Sequence, residues 1–124
     1  MGQSRSKAVL RCRAHGHTRV LSVEIPEVYQ ADAILQLSHQ IRKAIEDAGP
    51  ESRFILDLAA VRFLTSAAIG MMTNIHSHLK SRGYAFAVAG AAGEVATVIR
   101  TVRLGEVMPV FPTLKEALED FRCC

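Results

Sequence analysis

The sequence is poor in the residues on which several functional classes depend. It has no tryptophan and only 6% aromatic residues, so it lacks the stacking platform of single-strand nucleic-acid binders. Its three cysteines, Cys12, Cys123 and Cys124, form an odd set without Cys-x-x-Cys spacing, which argues against a disulfide framework and a zinc site. No apolar run approaches the roughly 18 residues of a membrane span, and the polar start is unlike a signal peptide. We therefore expect no direct nucleic-acid partner, no transmembrane segment and a cytoplasmic location.

Acidic residues are missing from the first 23 positions, which carry five basic residues, whereas the remainder carries ten basic and twelve acidic residues. A basic arm of this kind is able to meet an acidic partner or a lipid surface. We favour a flexible tail at residues 1–6 followed by a strand edge that arginine protects. Gly2 and the Cys123-Cys124 pair match lipidation patterns, but a frayed terminus is the better explanation of both.

Catalytic and metal-binding motifs are also missing. His76 and His78 lie two positions apart on a predicted helix, so their side chains point in different directions and do not chelate one ion together. Ser66 has no Gly-x-Ser-x-Gly context, and no His-Glu-x-x-His segment occurs. Asp57, inside an apolar strand, is interpreted as an acceptor of a nearby backbone or hydroxyl hydrogen bond. We expect a protein that is not an enzyme and holds no cofactor.

A nucleotide site has one weak signal. Gly90 and Gly93 lie between a predicted strand and a predicted helix, where phosphate loops occur, but the fuller Gly-x-Gly-x-x-Gly pattern is missing. Turn geometry or close helix packing explains the two glycines more simply, and a nucleotide sensor stays a minor alternative.

What the sequence does contain is a regular alternation of strand and helix patterns. With 124 residues and 49% hydrophobic composition, it can fill one core, so we predict a single domain over residues 1–124. The predicted strands cover residues 7–13, 19–25, 54–58, 84–89 and 108–111, the first two forming a hairpin about Gly16. The predicted helices cover residues 32–48, 66–82, a stretch after Gly93 and a stretch that Thr113 and Glu116 begin as a capping box. This order predicts an α/β fold whose mixed sheet of about five strands is parallel after the hairpin and is flanked by about four helices.

The segment from Phe54 to Gly70 is the most informative part of the chain. It runs from an apolar strand through a short turn into a helix at Thr65-Ser66. Free N–H groups and the helix dipole favour an anion at such a helix start. Ser66 is therefore a candidate phosphate-bearing residue, with a plain helix N-cap as the alternative.

These residues resemble the STAS domain of bacterial anti-sigma factor antagonists. That family begins the same helix with an apolar pair followed by Asp-Ser-Ser/Thr-Gly-Leu-Gly, and residues 63–70 of this chain, FLTSAAIG, occupy the same frame. Residues 21–25 are similar to the family's Leu-Ser-Gly-Glu-Leu segment. The departures are Thr65 for the acid, Ala67 for the second hydroxyl and Ala68 for a glycine.

The resemblance implies a STAS-type fold and a regulatory binding function. Ser66 would be phosphorylated, and phosphorylation would control docking to an anti-sigma factor with ATP-binding serine kinase activity. The residues that the resemblance assigns to partner binding are Glu24, Thr65, Ser66, Ala67 and Ala68. A second possibility is an accessory or scaffold STAS subunit of a transporter ATPase or a larger complex, which is not phosphorylated. The oligomeric state stays open.

Overall fold

The computed structural model describes residues 9–28, 30–48 and 53–122 of the chain. Its strands are β1 (Leu10–His15), β2 (Thr18–Val23), β3 (Glu27–Val28), β4 (Arg53–Asp57), β5 (Phe63–Leu64), β6 (Ala85–Ala89) and β7 (Val110–Phe111). Its helices are α1 (Ala31–Asp47), α2 (Ser66–Ser81), α3 (Gly93–Thr101) and α4 (Leu114–Arg122), with a short 3₁₀ helix at Leu104–Glu106. The predicted α/β alternation is confirmed.

The main sheet has five strands in the order β1-β2-β4-β6-β7. The β1 strand pairs with β2 in antiparallel orientation, and every later pair in this sheet is parallel. The hairpin turns at Gly16, whose φ of 62° is a left-handed conformation that glycine adopts without strain. The predicted mixed sheet with an opening hairpin is therefore confirmed.

A second, two-stranded parallel sheet joins β3 to β5. It was not predicted from the sequence, because each strand has only two residues and such a segment carries no periodic pattern.

The core lies mainly between the main sheet and the helices α1, α2 and α3. Alternate residues of β4 divide between the two faces: Phe54 and Leu56 belong to the large core, whereas Ile55 joins a small cluster with Ala117 of α4. Three helices thus cover one face, and α4 covers the other. Because both faces of β4 are covered by helices, its sequence is almost continuously apolar.

The start of α4 shows one half of the predicted capping box, the bond from the Glu116 N–H to the Thr113 hydroxyl. The N–H of Glu116 donates to Thr113 Oγ1 at 3.1 Å, and the Thr113 hydroxyl donates to Glu116 Oε2 at 3.4 Å. This exchange satisfies a donor that a helix start otherwise leaves unpaired. Throughout the described ranges, no helix combines the length and apolar character needed to cross a bilayer.

Some of the predictions concern residues that the structure does not describe. The tail at residues 1–6, the acylation pattern at Gly2, the helix stop at Gly49-Pro50 and the pair Cys123-Cys124 lie outside the described residues. They stay predictions.

Candidate functional site

Ser66 is the first residue of α2 and is exposed. The N-cap is Thr65, whose φ of −106° and ψ of 170° are extended. The Thr65 carbonyl accepts the first helical hydrogen bond, from the N–H of Ile69 at 3.1 Å. The N-cap is therefore Thr65 and not Ser66, because the backbone of Ser66 is already helical. Its hydroxyl is left available at the surface.

Backbone hydrogen bonds from the chain around β3 hold the segment that leads to Ser66. The Thr65 N–H donates to the Val28 carbonyl at 3.2 Å, and the Arg62 N–H donates to the Pro26 carbonyl at 2.7 Å. Because these bonds lie on both sides of β5, the approach to α2 is supported along its length. Ser66 is thus presented from a braced segment rather than from a free loop.

Asp57 braces the other end of the same connection. Its Oδ1 accepts from the Ala59 N–H at 3.0 Å, and its Oδ2 accepts from the Ser22 hydroxyl at 3.4 Å. Gly90 lies against this carboxylate so closely that a Cβ there would be 2.7 Å from Asp57 Oδ1. The interpretation of Asp57 as a hydrogen-bond acceptor is confirmed. Glycine is required at position 90 because a side chain would collide with the Asp57 carboxylate and because the φ of 82° is strained for other residues.

The start of α2 is suited to an anion. Its first turn has no acidic residue, and no side chain caps it. The first N–H groups of a helix have no intrahelical acceptor, and the dipole adds partial positive charge there, worth about 0.3–1 kcal/mol for an anion at an exposed site. A phosphate on the Ser66 oxygen would lie in this field.

The hydroxyl of Thr65, in contrast, is turned inward. Thr65 Oγ1 is buried and has no hydrogen-bond partner within the described part of the chain. A buried hydroxyl without a partner costs about 1–3 kcal/mol. Of the residues 65–67, only Ser66 therefore offers an exposed hydroxyl, since Ala67 has none.

The predicted partner-binding residues differ in exposure and in their place on the fold. Thr65, Ser66 and Ala67 lie together at the start of α2, but Ala68 is only 1% exposed and packs in the core. Its predicted role is corrected to a packing role for the side chain, because no partner reaches its methyl group. Glu24 is exposed and follows β2, where its carboxylate pairs with Arg11 of β1 at 3.4 Å. This ion pair joins Glu24 to β1, and its role in partner binding stays a prediction.

A groove between α1 and α2, which we call the α1/α2 groove, was not predicted from the sequence. It has a volume of about 340 Å³. Its lining includes Leu35, Ser38 and Arg42 of α1 and Ala67, Met71 and Asn74 of α2. The one signal in the sequence was Leu35, a large apolar residue that falls outside the buried stripe of α1 and is 60% exposed. Ala67 places the groove directly beside Ser66.

The histidines show no sign of a joint site. His76 lies against the ring of Phe86, with centroids 6.3 Å apart, and His78 is exposed. Burial, and then the charge of Lys80, lower the pKa of His76 below its usual value. Across residues 9–28, 30–48 and 53–122, no group of three or more His, Cys, Asp or Glu side chains is placed to hold a metal ion.

Comparison with solved structures finds the same fold in proteins of known class. An anti-sigma factor antagonist from Mycobacterium paratuberculosis is 26% identical, with a TM-score of 0.78, over 91% of this chain and 92% of that one. The anti-sigma factor antagonist SpoIIAA in its unphosphorylated form is 20% identical, with a TM-score of 0.72, over 93% of this chain and 97% of that one. A sulfate transporter family protein from Wolinella succinogenes is 13% identical, with a TM-score of 0.71, over 90% of this chain and 89% of that one.

Comparison with sequences agrees at the level of the family. No curated protein matches the chain significantly. The family model described as the STAS domain matches residues 12–117, which cover every element from β1 into α4. The chain belongs to the STAS domain family.

Proposed function

We propose that this chain is a regulatory binding protein of the anti-sigma factor antagonist type, whose docking is controlled by phosphorylation of Ser66. The observation that carries the proposal is the exposed Ser66 hydroxyl at the first residue of α2, in a first turn without acidic residues. The unmodified form would dock an anti-sigma factor with ATP-binding serine kinase activity. Phosphorylation would add about 1.5–2 negative charges and weaken that contact.

The structure of the helix start supports a single acceptor. Thr65 Oγ1 is buried, and Ala67 has no hydroxyl, so among residues 65–67 a kinase would find one accessible hydroxyl, that of Ser66. Proteins of this family that act as anti-sigma factor antagonists are generally not enzymes, and on this proposal the chain is the substrate of the kinase. We place its action in the cytoplasm, where a sigma factor works.

Intact-mass spectrometry of the protein purified from its own host tests the modification. We expect a species heavier by one phosphate, about 80 Da, that phosphatase removes and that is missing from the Ser66→Ala protein. A Thr73→Ala protein is the matched control, because Thr73 lies on the same helix with its hydroxyl bonded to the Ile69 carbonyl at 3.0 Å. Phosphate that survives Ser66→Ala would contradict the assignment.

The switch itself is tested with two Ser66 variants and an ATP-binding anti-sigma kinase from the same host. Ser66→Asp places a negative charge beside the docking surface and should weaken binding at least about tenfold, or roughly 1.4 kcal/mol. Ser66→Ala removes only the hydroxyl and should keep the affinity of the unmodified protein. Equal affinities for the two variants would contradict phosphorylation control.

A second candidate is an accessory or scaffold STAS subunit that acts without phosphorylation. The similarity in fold to the Wolinella succinogenes sulfate transporter family protein supports it, as do Thr65 and Ala67 in place of an acid and a hydroxyl. On this alternative the intact mass stays unmodified in the host. The protein would then co-purify with a transport ATPase, and Ser66→Asp and Ser66→Ala would bind it equally.

A further inference from the structure

The α1/α2 groove exposes apolar surface that the fold leaves uncovered. Leu35 is 60% exposed although it is a large aliphatic residue. Opposite it, α2 presents Ala67 and Met71. A partner that covers these apolar side chains would be stabilised, because removing apolar surface from water lowers the free energy.

The charge of the groove limits what can fill it. Arg42 is the only charged residue among the described residues that line the groove. Its guanidinium Nε lies 3.4 Å from Ser38 Oγ, and it forms no ion pair with the residues the structure describes. An apolar groove that ends in an unpaired cation complements an occupant with apolar side chains and one carboxylate.

The direction of the helices fixes the order of these features. Each of α1 and α2 precedes a strand of the parallel pair β4-β6, so the two helices run in the same direction. Leu35 and Ala67 therefore lie towards the end where Ser66 begins α2, and Arg42 lies towards the opposite end. Seven residues separate Leu35 from Arg42, which corresponds to about 10 Å along a helix axis.

We propose that the α1/α2 groove docks an amphipathic helix of a protein partner. That helix carries apolar side chains one turn apart against Leu35 and Met71. It also carries an aspartate or glutamate about two turns away, which pairs with Arg42. The inference rests on the proposed function, because the apolar end of the groove adjoins Ser66 and a phosphate there would place negative charge beside the apolar contacts of the docked helix.

A displayed library of 16-residue amphipathic helices, selected on the purified full chain, tests the docking mode. We expect enriched peptides with two apolar positions one turn apart and an acidic position about two turns from the first. Leu35→Asp should weaken a selected peptide at least tenfold, as expected for loss of a buried apolar anchor. Val107→Asp is the matched control, because Val107 is also an exposed apolar residue, at 47%, and lies outside the groove.

The ion pair is tested by exchanging the two charges. Arg42→Glu should weaken the selected acidic peptide about tenfold and should restore binding to the same peptide with lysine at the acidic position. Lys115→Glu on α4 is the matched control and should change neither affinity, because α4 packs on the other face of the sheet. A failure to enrich peptides, or binding indifferent to Leu35→Asp and Arg42→Glu, would overturn the proposal.

The Ser66 variants separate the two ideas. If Arg42-dependent peptide binding survives Ser66→Asp unchanged and the anti-sigma kinase also binds the Ser66→Asp and Ser66→Ala proteins equally, the groove is supported and phosphorylation control fails. If the anti-sigma kinase responds to Ser66→Asp but binds the Leu35→Asp protein normally, phosphorylation control stands and the groove is overturned.

Discussion

Replacing Gly90 by alanine tests how closely the connection before Ser66 is packed. Gly90 has a φ of 82°, and a Cβ placed on it would lie 2.7 Å from Asp57 Oδ1 and 3.3 Å from the Ala59 nitrogen. That Cβ would push into the carboxylate that accepts the Ala59 N–H at 3.0 Å. We expect Gly90→Ala to destabilise the fold through both its backbone and this contact.

The magnitude follows from two terms. An L residue in the left-handed region costs about 1–2 kcal/mol, offset by about 0.4–1 kcal/mol because alanine restricts the unfolded chain. Displacing Asp57 from Ala59 adds about 1.5 kcal/mol, the lower end for a hydrogen bond to a charged group, since this one is exposed. The sum predicts a loss of about 1.5–3 kcal/mol in the free energy of unfolding.

Urea unfolding of matched variants isolates the contact. Gly93→Ala is the control, because Gly93 has a φ of 57° but a Cβ on it would meet no atom within 4 Å, so only the backbone terms apply and we expect a loss of about 1.5 kcal/mol or less. In an Asp57→Ala background, the cost of Gly90→Ala should fall towards that of Gly93→Ala, because only the contacts with Ala59 then remain. Equal costs for Gly90→Ala and Gly93→Ala in the otherwise unchanged protein would refute the reasoning.

The remaining predictions concern three other positions. Thr65→Val removes the buried hydroxyl that lacks a partner among the described residues and should raise the free energy of unfolding by about 1 kcal/mol; a loss in urea unfolding would show that the hydroxyl is paired in solution. Arg103→Gly relieves a φ of 57° and should stabilise by up to about 1 kcal/mol, whereas Arg100→Gly inside α3 should destabilise by about as much. The pKa of His76 is lowered by burial and then by Lys80. The unfolded chain therefore binds more protons than the fold, so stability falls as the pH drops below about 6.5. His76→Gln should flatten that part of the pH profile of urea unfolding, and an unchanged slope would contradict this assignment.

The fold was largely predictable because its main elements carry strong patterns. The stripe Leu37, Ile41 and Ile45 indicated α1, and all three residues are buried. The β3-β5 pair was not predictable. Strands of two residues are defined by hydrogen bonds between distant backbone segments, such as that from the Thr65 N–H to the Val28 carbonyl. Their existence depends on how distant segments meet, which no local pattern records.

The candidate site was predictable in part. The frame around Ser66 indicated a helix start, and α2 does begin there. Periodicity did not distinguish the buried Ala68 from the exposed Ala67, because two adjacent alanines differ only in the side of the helix on which they lie. The α1/α2 groove was missed for a related reason, since it needs the relative placement of two helices that are separate in sequence.

The anchoring of the α2 start bears on how phosphorylation would act. The N–H of Thr65 is bonded to the Val28 carbonyl, and the Thr65 carbonyl accepts from Ile69, so the backbone on both sides of Ser66 is already held. A phosphate placed on the exposed oxygen meets the positive end of α2 and does not have to break these bonds to fit. Its effect would then fall on the charge of the surface beside the α1/α2 groove rather than on the fold. A switch of this kind should change the affinity for a partner while raising the free energy of unfolding by no more than about 1 kcal/mol.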